Sequence, residues 1–328
     1  MTTEDLAKAL GRPGKYQLLL TVLLCLNYVY VGWNHLGMAF LAAKTKHHCT
    51  VKNSSDIDHL VPLEKKNGKE QWKGCKLYSD YNKTEQVSCS NGWTYYHSDR
   101  ERTIVSEWDL VCSDAYKTSL AITIYFVGVM LGGLVFGTLS DKFGRRPILL
   151  FTMFAPSLIG IIVFFIKNYI AFVILRFVLG FLLQGLQMTS FLLFMEVLAV
   201  QYRTAAGVTA SIFWSFGVMS LALISYLIQD WRYIQLFTTV TGLLQIGLIC
   251  ILPESFRWLL TKNRLDAAEG VIERISNFND LPFPREEFNK VVDNSNKQEA
   301  NVKKNYSIID IFRSSVLRKR SIILAFVW

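Results

Sequence analysis

Charged side chains are scarce in this sequence: Asp, Glu, Lys and Arg make up 19% of its 328 residues, while 51% are hydrophobic. Ordinary soluble domains carry about 25% charged residues, so a chain this apolar reads as membrane-embedded. Enzyme signatures are also missing. There is no Gly-rich strand-to-helix turn to cradle a phosphate, no His-Glu-x-x-His pair for a metal, and no Gly-x-Ser-x-Gly nucleophile elbow. A net charge of +9 comes without a basic stripe interleaved with base-stacking aromatics. The basic residues fall in short clusters between apolar runs, which argues against a nucleic-acid partner. Residues 1–16 lack a short apolar core with a small-residue cleavage site. The first apolar run is therefore expected to stay as a helix rather than be removed as a signal peptide.

What the chain does have is long apolar runs. A helix crossing about 30 Å of hydrocarbon needs roughly 20 mostly apolar residues, and six stretches fit, near 17–41, 116–139, 148–166, 169–195, 205–228 and 233–252. A seventh opens at Ser321 and is cut off at Trp328, so the chain reads as truncated, with 321–328 the start of another span. Lys and Arg in short loops stay on the cytoplasmic side during insertion. Arg12 and Lys15 precede the first run, Lys142, Arg145 and Arg146 separate the second and third, Arg203 separates the fourth and fifth, and a basic segment follows the sixth. Six alternating spans put all four positions on one side. This predicts a cytoplasmic N-terminus (1–16), a cytoplasmic connector (253–320) and an extracellular loop over 44–114.

The cysteines and sequons sort the same way. Cys49, Cys75, Cys89 and Cys112 all fall in the 44–114 loop, with Asn53-Ser-Ser and Asn82-Lys-Thr, two glycan acceptor sequences. Disulfides persist in an oxidising compartment, which fits the exterior. The spacing leaves the pairing open among three connectivities. Cys25 and Cys250 lie within spans and read as small buried apolar side chains. His47 and His48 beside Cys49 resemble a metal cluster on paper, but a bridged sulfur offers no thiolate, and neither a metal nor a cofactor is expected.

Mechanism enters at the turns. Gly137-Thr-Leu-Ser-Asp141-Lys-Phe-Gly144-Arg145-Arg146-Pro147 combines an acid, paired arginines and glycines that permit φ > 0 and close helix approach. Arg176-Phe-Val-Leu-Gly180 opens the fourth span with a charge that is expensive in hydrocarbon. Glu196 and Arg203 are separated by six intervening residues across the four–five turn, and Pro253-Glu254-Ser-Phe-Arg257-Trp-Leu follows span six. Together these resemble the signatures of the major facilitator superfamily. The loop ending Thr103-Ile-Val-Ser-Glu-Trp-Asp-Leu-Val-Cys112 is similar to that of its organic cation, organic anion and carnitine carriers rather than of sugar porters.

The resemblance implies an all-α membrane fold, with this chain supplying the N-terminal six-helix bundle, span 1 at 17–41 and spans 2–6 within 115–252. It implies a cytoplasmic gate network of Asp141, Arg145, Arg146, Glu196, Arg203, Glu254 and Arg257, with Arg176 as an embedded charge. Helical spacing of polar and aromatic residues within apolar spans marks Tyr28 and His35 on span one, and Gln184, Gln187 and Phe191 on span four, as candidate cavity lining. Placing the family's cavity by Glu196 and Arg203 keeps Gln184, Gln187 and Phe191 and adds Ser211. Cation carriers have Lys, Trp, Tyr and Gln there, so no charge preference carries over. In the connector, Asp266 to Phe278 reads as an amphipathic helix, Leu281-Pro-Phe-Pro284 breaks it, and 289–305 reads as polar and mobile. The function implied is transport of small organic ions or zwitterions by alternating access, as part of a longer multi-pass carrier in the plasma membrane. The alternative is a short form without transport activity that modulates a full-length partner. A homodimer that rebuilds a cavity is the other arrangement open to half a carrier.

Overall fold

The computed structural model describes residues 14–51, 57–66, 69–79, 83, 85–96, 101–249, 252–299 and 313–327. The apolar runs become six long helices: α1 (Lys15–Leu41), α2 (Tyr116–Phe143), α3 (Arg145–Phe165), α4 (Tyr169–Val197), α5 (Val200–Leu227) and α6 (Trp231–Ile249). The first five are long and apolar enough to cross a membrane. The sixth is shorter and carries threonines that satisfy their hydroxyls locally: Thr238 and Thr239 donate to Gln235 O at 2.9 and 2.8 Å, and Thr241 to Phe237 O at 2.9 Å. Helices α2 and α5 run a turn beyond their apolar stretches, through Asp141 and Lys142 and back to Val200, because the hydrogen-bond ladder does not stop where the hydrocarbon does.

Lipid supplies no hydrophobic drive between helices, so close backbone packing has to hold them. Gly128 and Gly132 of α2 face the Phe177 and Phe181 carbonyls of α4, and Gly180 of α4 faces the Tyr125 carbonyl, all too near for a Cβ. Gly217 of α5 packs in the same way on the Val29 backbone of α1, and Gly160 of α3 on Thr239 of α6. Polar links reinforce the contacts, with Asn27 Nδ2 donating to Ser190 Oγ and Trp33 Nε1 to Ser220 Oγ, both at 2.9 Å. Cys25 is buried in α1 with a free thiol. Cys250 lies outside the described residues.

Between α1 and α2 the chain forms three two-stranded antiparallel ribbons rather than an irregular loop. They pair β1 (Lys46–Cys49) with β6 (Trp93–Tyr96), β2 (Leu63–Lys66) with β3 (Lys69–Trp72), and β4 (Lys76–Tyr78) with β5 (Gln86–Ser88). Two disulfides, Cys49–Cys89 and Cys75–Cys112, staple this insertion, which is too small to hold itself by a core alone. Asn53 and Asn82 lie outside the described residues.

After α6 come α7 (Phe256–Thr261), α8 (Leu265–Phe278), α9 (Arg285–Glu299) and α10 (Ser315–Val327). A second core, separate from that of the bundle, gathers Phe256, Trp258, Leu260, Ile272, Ile275 and Phe288 around Tyr16 at the start of α1. The polar stretch from 289, expected to be mobile, is instead helical through Glu299. Phe288 and Val291, one turn apart, anchor it to this core, and Glu286 and Glu287 sit favourably in its first turn.

Candidate gate and substrate-facing residues

Gly144 alone joins α2 to α3, at φ +109°, a conformation that side-chain-bearing residues rarely adopt. The turn brings Asp141 and Arg145 one helical turn apart. Arg145 Nη2 contacts Asp141 Oδ1 at 2.9 Å and Glu196 Oε1, from the end of α4, at 2.8 Å. Its Nε reaches Glu196 Oε1 at 3.2 Å, and Nη1 reaches Ser140 O at 3.1 Å. The planar guanidinium serves acceptors in three directions, as a lysine could not. Asp141 is 70% exposed at its side chain, whereas those of Arg145 and Glu196 are 10% and 18% exposed. Glu196 Oε2 is buried with no hydrogen-bond partner among the described residues.

Glu254 closes the cluster from the connector. Its carboxylate accepts the backbone N–H groups of Arg145 (2.9 Å) and Arg146 (3.2 Å), the first two residues of α3, and that of Ser255 (3.0 Å). The first two are donors that α3 itself leaves without partners, at the positive end of its dipole, where an anion is stabilised. A Cβ on Gly144 would meet Glu254 Oε2, so glycine is required there twice over. Trp258 Nε1 donates to Asp141 O at 2.9 Å, tying α7 to the end of α2. Arg203 Nε donates to Met195 O at 3.1 Å and Arg257 Nη2 to Leu198 O at 3.5 Å, so both side chains meet backbone at the α4–α5 turn. Arg146 joins through its backbone N–H.

Within the bundle, toward the insertion end, Arg176 is fully buried, with Cζ 4.5 Å from the Tyr125 ring centroid and Nη2 donating to Asn34 O at 3.3 Å. Tyr125 Oη lies 3.2 Å from His35 Nδ1, so one polar cluster links α1, α2 and α4. The six candidate lining residues are not gathered in one cavity. Tyr28 is buried in the core, His35, Gln184 and Gln187 are half-buried, and Phe191 is exposed. Ser211 lies in a shallow groove along α5 with Gly207 and Ser215, and none of the other five lines it.

A second charged junction, which no sequence motif announces, lies at the opposite end. Thr103 caps the turn Ile104–Glu107, and Glu107 accepts from Trp231 Nε1 at 2.6 Å and pairs with Arg232. Arg232 also donates to the Phe164 and Ile166 carbonyls at the end of α3, which the helix leaves without partners. Trp108 Nε1 donates to Lys167 O at 2.8 Å, and its ring packs on Phe172 and Trp231. The motif Thr103–Cys112 therefore clasps the insertion to α3, α4 and α6. In the insertion, burial and the Asp109 hydrogen bond (2.9 Å) raise the Tyr95 pKa, while burial and neighbouring His47 lower that of His48.

Five helices apolar and long enough to cross a membrane, with acid–arginine pairs gathered at one end of the bundle, describe a multi-span membrane protein. The profile of the family described as "Sugar (and other) transporter" matches residues 29–328, and the chain belongs to that family, within the major facilitator superfamily. Among curated relatives it is 32% identical to organic cation/carnitine transporter 2 of Rattus norvegicus, over 99% of this chain and 62% of that one. It is 33% identical to solute carrier family 22 member 7 of Rattus norvegicus, over 100% of this chain and 66% of that one. The chain thus spans a little under two thirds of the length of these relatives. Among solved structures, the proton:xylose symporter XylE bound to 6-bromo-6-deoxy-D-glucose matches with a TM-score of 0.55 at 14% identity, over 87% of this chain and 54% of that one. The partially occluded inward open conformation of the E. coli xylose transporter XylE matches with a TM-score of 0.57 at 15% identity, over 87% and 60%. At such identities these likenesses concern the fold alone.

Proposed function

We propose that this chain forms the N-terminal half of a plasma-membrane carrier that moves small organic ions or zwitterions, carnitine among the candidates, by alternating access. The N-terminus and connector lie in the cytoplasm and the insertion outside. The observation that carries this reading is the Asp141–Arg145–Glu196 cluster with Glu254, which joins the ends of α2, α3 and α4 to the connector. Such a junction can hold one face shut and release it. The buried, unpartnered Glu196 Oε2 leaves an acceptor for a group that arrives when that face closes. Substrate would meet His35, Gln184, Gln187, Phe191 and Ser211, half-buried or exposed here, once a second bundle supplies the facing wall, whereas Tyr28 would be reached only if the helices around it part. The curated relatives support organic ions as the substrate class.

In a carrier that contains this sequence together with both bundles, Asp141→Ala is expected to lower uptake per surface molecule severalfold at unchanged surface biotinylation. Unchanged uptake per surface molecule contradicts the gate assignment.

A further inference from the structure

A cavity of about 780 Å³ lies where the insertion meets the adjoining ends of α1 and α2. Its volume falls within the roughly 300–1,000 Å³ usual for small-molecule sites. Val105, Leu110 and Val111 give it an apolar wall, and Trp72 and Tyr96 contribute rings. Lys44, Lys46 and His47 supply the polar part, and no carboxylate is among the described residues that line it. Two further groups there are unsatisfied: Thr45 Oγ1 and His47 Nε2 are buried without a hydrogen-bond partner among the described residues. His47 Nδ1 is already taken by Thr45 O at 3.1 Å, so Nε2 is the ring nitrogen still available. The site does not suit a metal, because the sulfurs nearest His47 are those of Cys75 and Cys112, which are joined in a disulfide.

We propose that this cavity binds an amphipathic organic anion, with a carboxylate or sulfonate held between Lys44 and Lys46 and a ring-bearing body against Trp72 and Val111. Excess positive charge without an acid to balance it selects an anion over a cation, and the apolar wall selects against small inorganic ions. Thr45 and His47 fix orientation by hydrogen bonding. The site is distinct from the candidate transport cavity, so it stands or falls independently of whether the chain moves a substrate.

The test uses 8-anilinonaphthalene-1-sulfonate as the probe, titrated into the purified 328-residue chain in phosphatidylcholine nanodiscs and read by probe fluorescence. Saturable binding is expected, with affinity falling about tenfold in Lys44→Glu/Lys46→Glu, and staying within about threefold of the parent in Lys44→Arg/Lys46→Arg. Thr118→Trp, which fills the cavity without changing charge, should weaken binding comparably. Both lysines are exposed, and size-exclusion profiles with non-reducing gels verify that each variant is folded and bridged. The proposal is overturned if the charge-reversed protein keeps parental affinity, or if a matched cationic naphthyl probe binds equally well. A tenfold loss of probe affinity on adding phosphatidylglycerol to the nanodisc would assign the site to a lipid headgroup and overturn it as well.

Discussion

Arg145 shows how much one side chain settles at the connector end. Its fork bridges an acid on its own turn, an acid at the end of another helix and a backbone carbonyl, while its own N–H rests on Glu254. Charge-assisted bonds of this kind are stronger than neutral ones, and partial burial limits their screening. The pair should therefore behave as a unit. Arg145→Gln and Glu196→Gln are each expected to lower the thermal midpoint of the purified protein. The double variant should lose less than the two shifts added, with a coupling of about 1–3 kcal/mol. Additive losses in that double-mutant cycle would mean that the contact contributes nothing measurable.

Among elements, the α2–α4 pair depends on glycine in a way that one helix can test against itself. A Cβ at Gly132 would meet the Phe181 carbonyl, whereas at Gly137, one and a half turns on, it would meet nothing within 4 Å. Gly132→Ala is expected to destabilise by about 1–3 kcal/mol, and Gly137→Ala to be neutral or stabilising by up to about 1 kcal/mol through helix propensity. Equal midpoints for the two variants in thermal unfolding would show that the close approach has no energetic weight. The helices themselves are legible because span length and apolarity are local properties, and the amphipathic spacing of Asp266 to Phe278 is equally plain. Asp141, Arg145, Glu196 and Glu254 came together because their motifs sit at helix ends that the topology must juxtapose. The Glu107–Arg232 pair was not legible, since its partners lie 125 positions apart and neither stands in a periodic pattern. The ribbons of the insertion are not legible because strands of three or four residues held by disulfides show too short an alternation. The α9 helix is not legible in the sequence because only Phe288 and Val291 anchor an otherwise polar segment.

For the molecule as a whole, the two charged junctions sit at opposite ends of the bundle and do different work. The Glu107–Arg232 clasp fixes the disulfide-bonded insertion to α3, α4 and α6, so insertion and bundle should move as one body. The Arg145 cluster lies among turns and connector, where a moving partner bundle could engage it. The transport reading requires these ends to face opposite sides of the membrane. Single cysteines introduced at Lys167, in the α3–α4 turn, and at Lys142, near the end of α2, test this in intact cells with a membrane-impermeant maleimide; both positions are exposed. Lys167→Cys is expected to be labelled on intact cells and Lys142→Cys only after permeabilisation. Labelling of Lys142→Cys alone from outside, or of both positions equally, would contradict it.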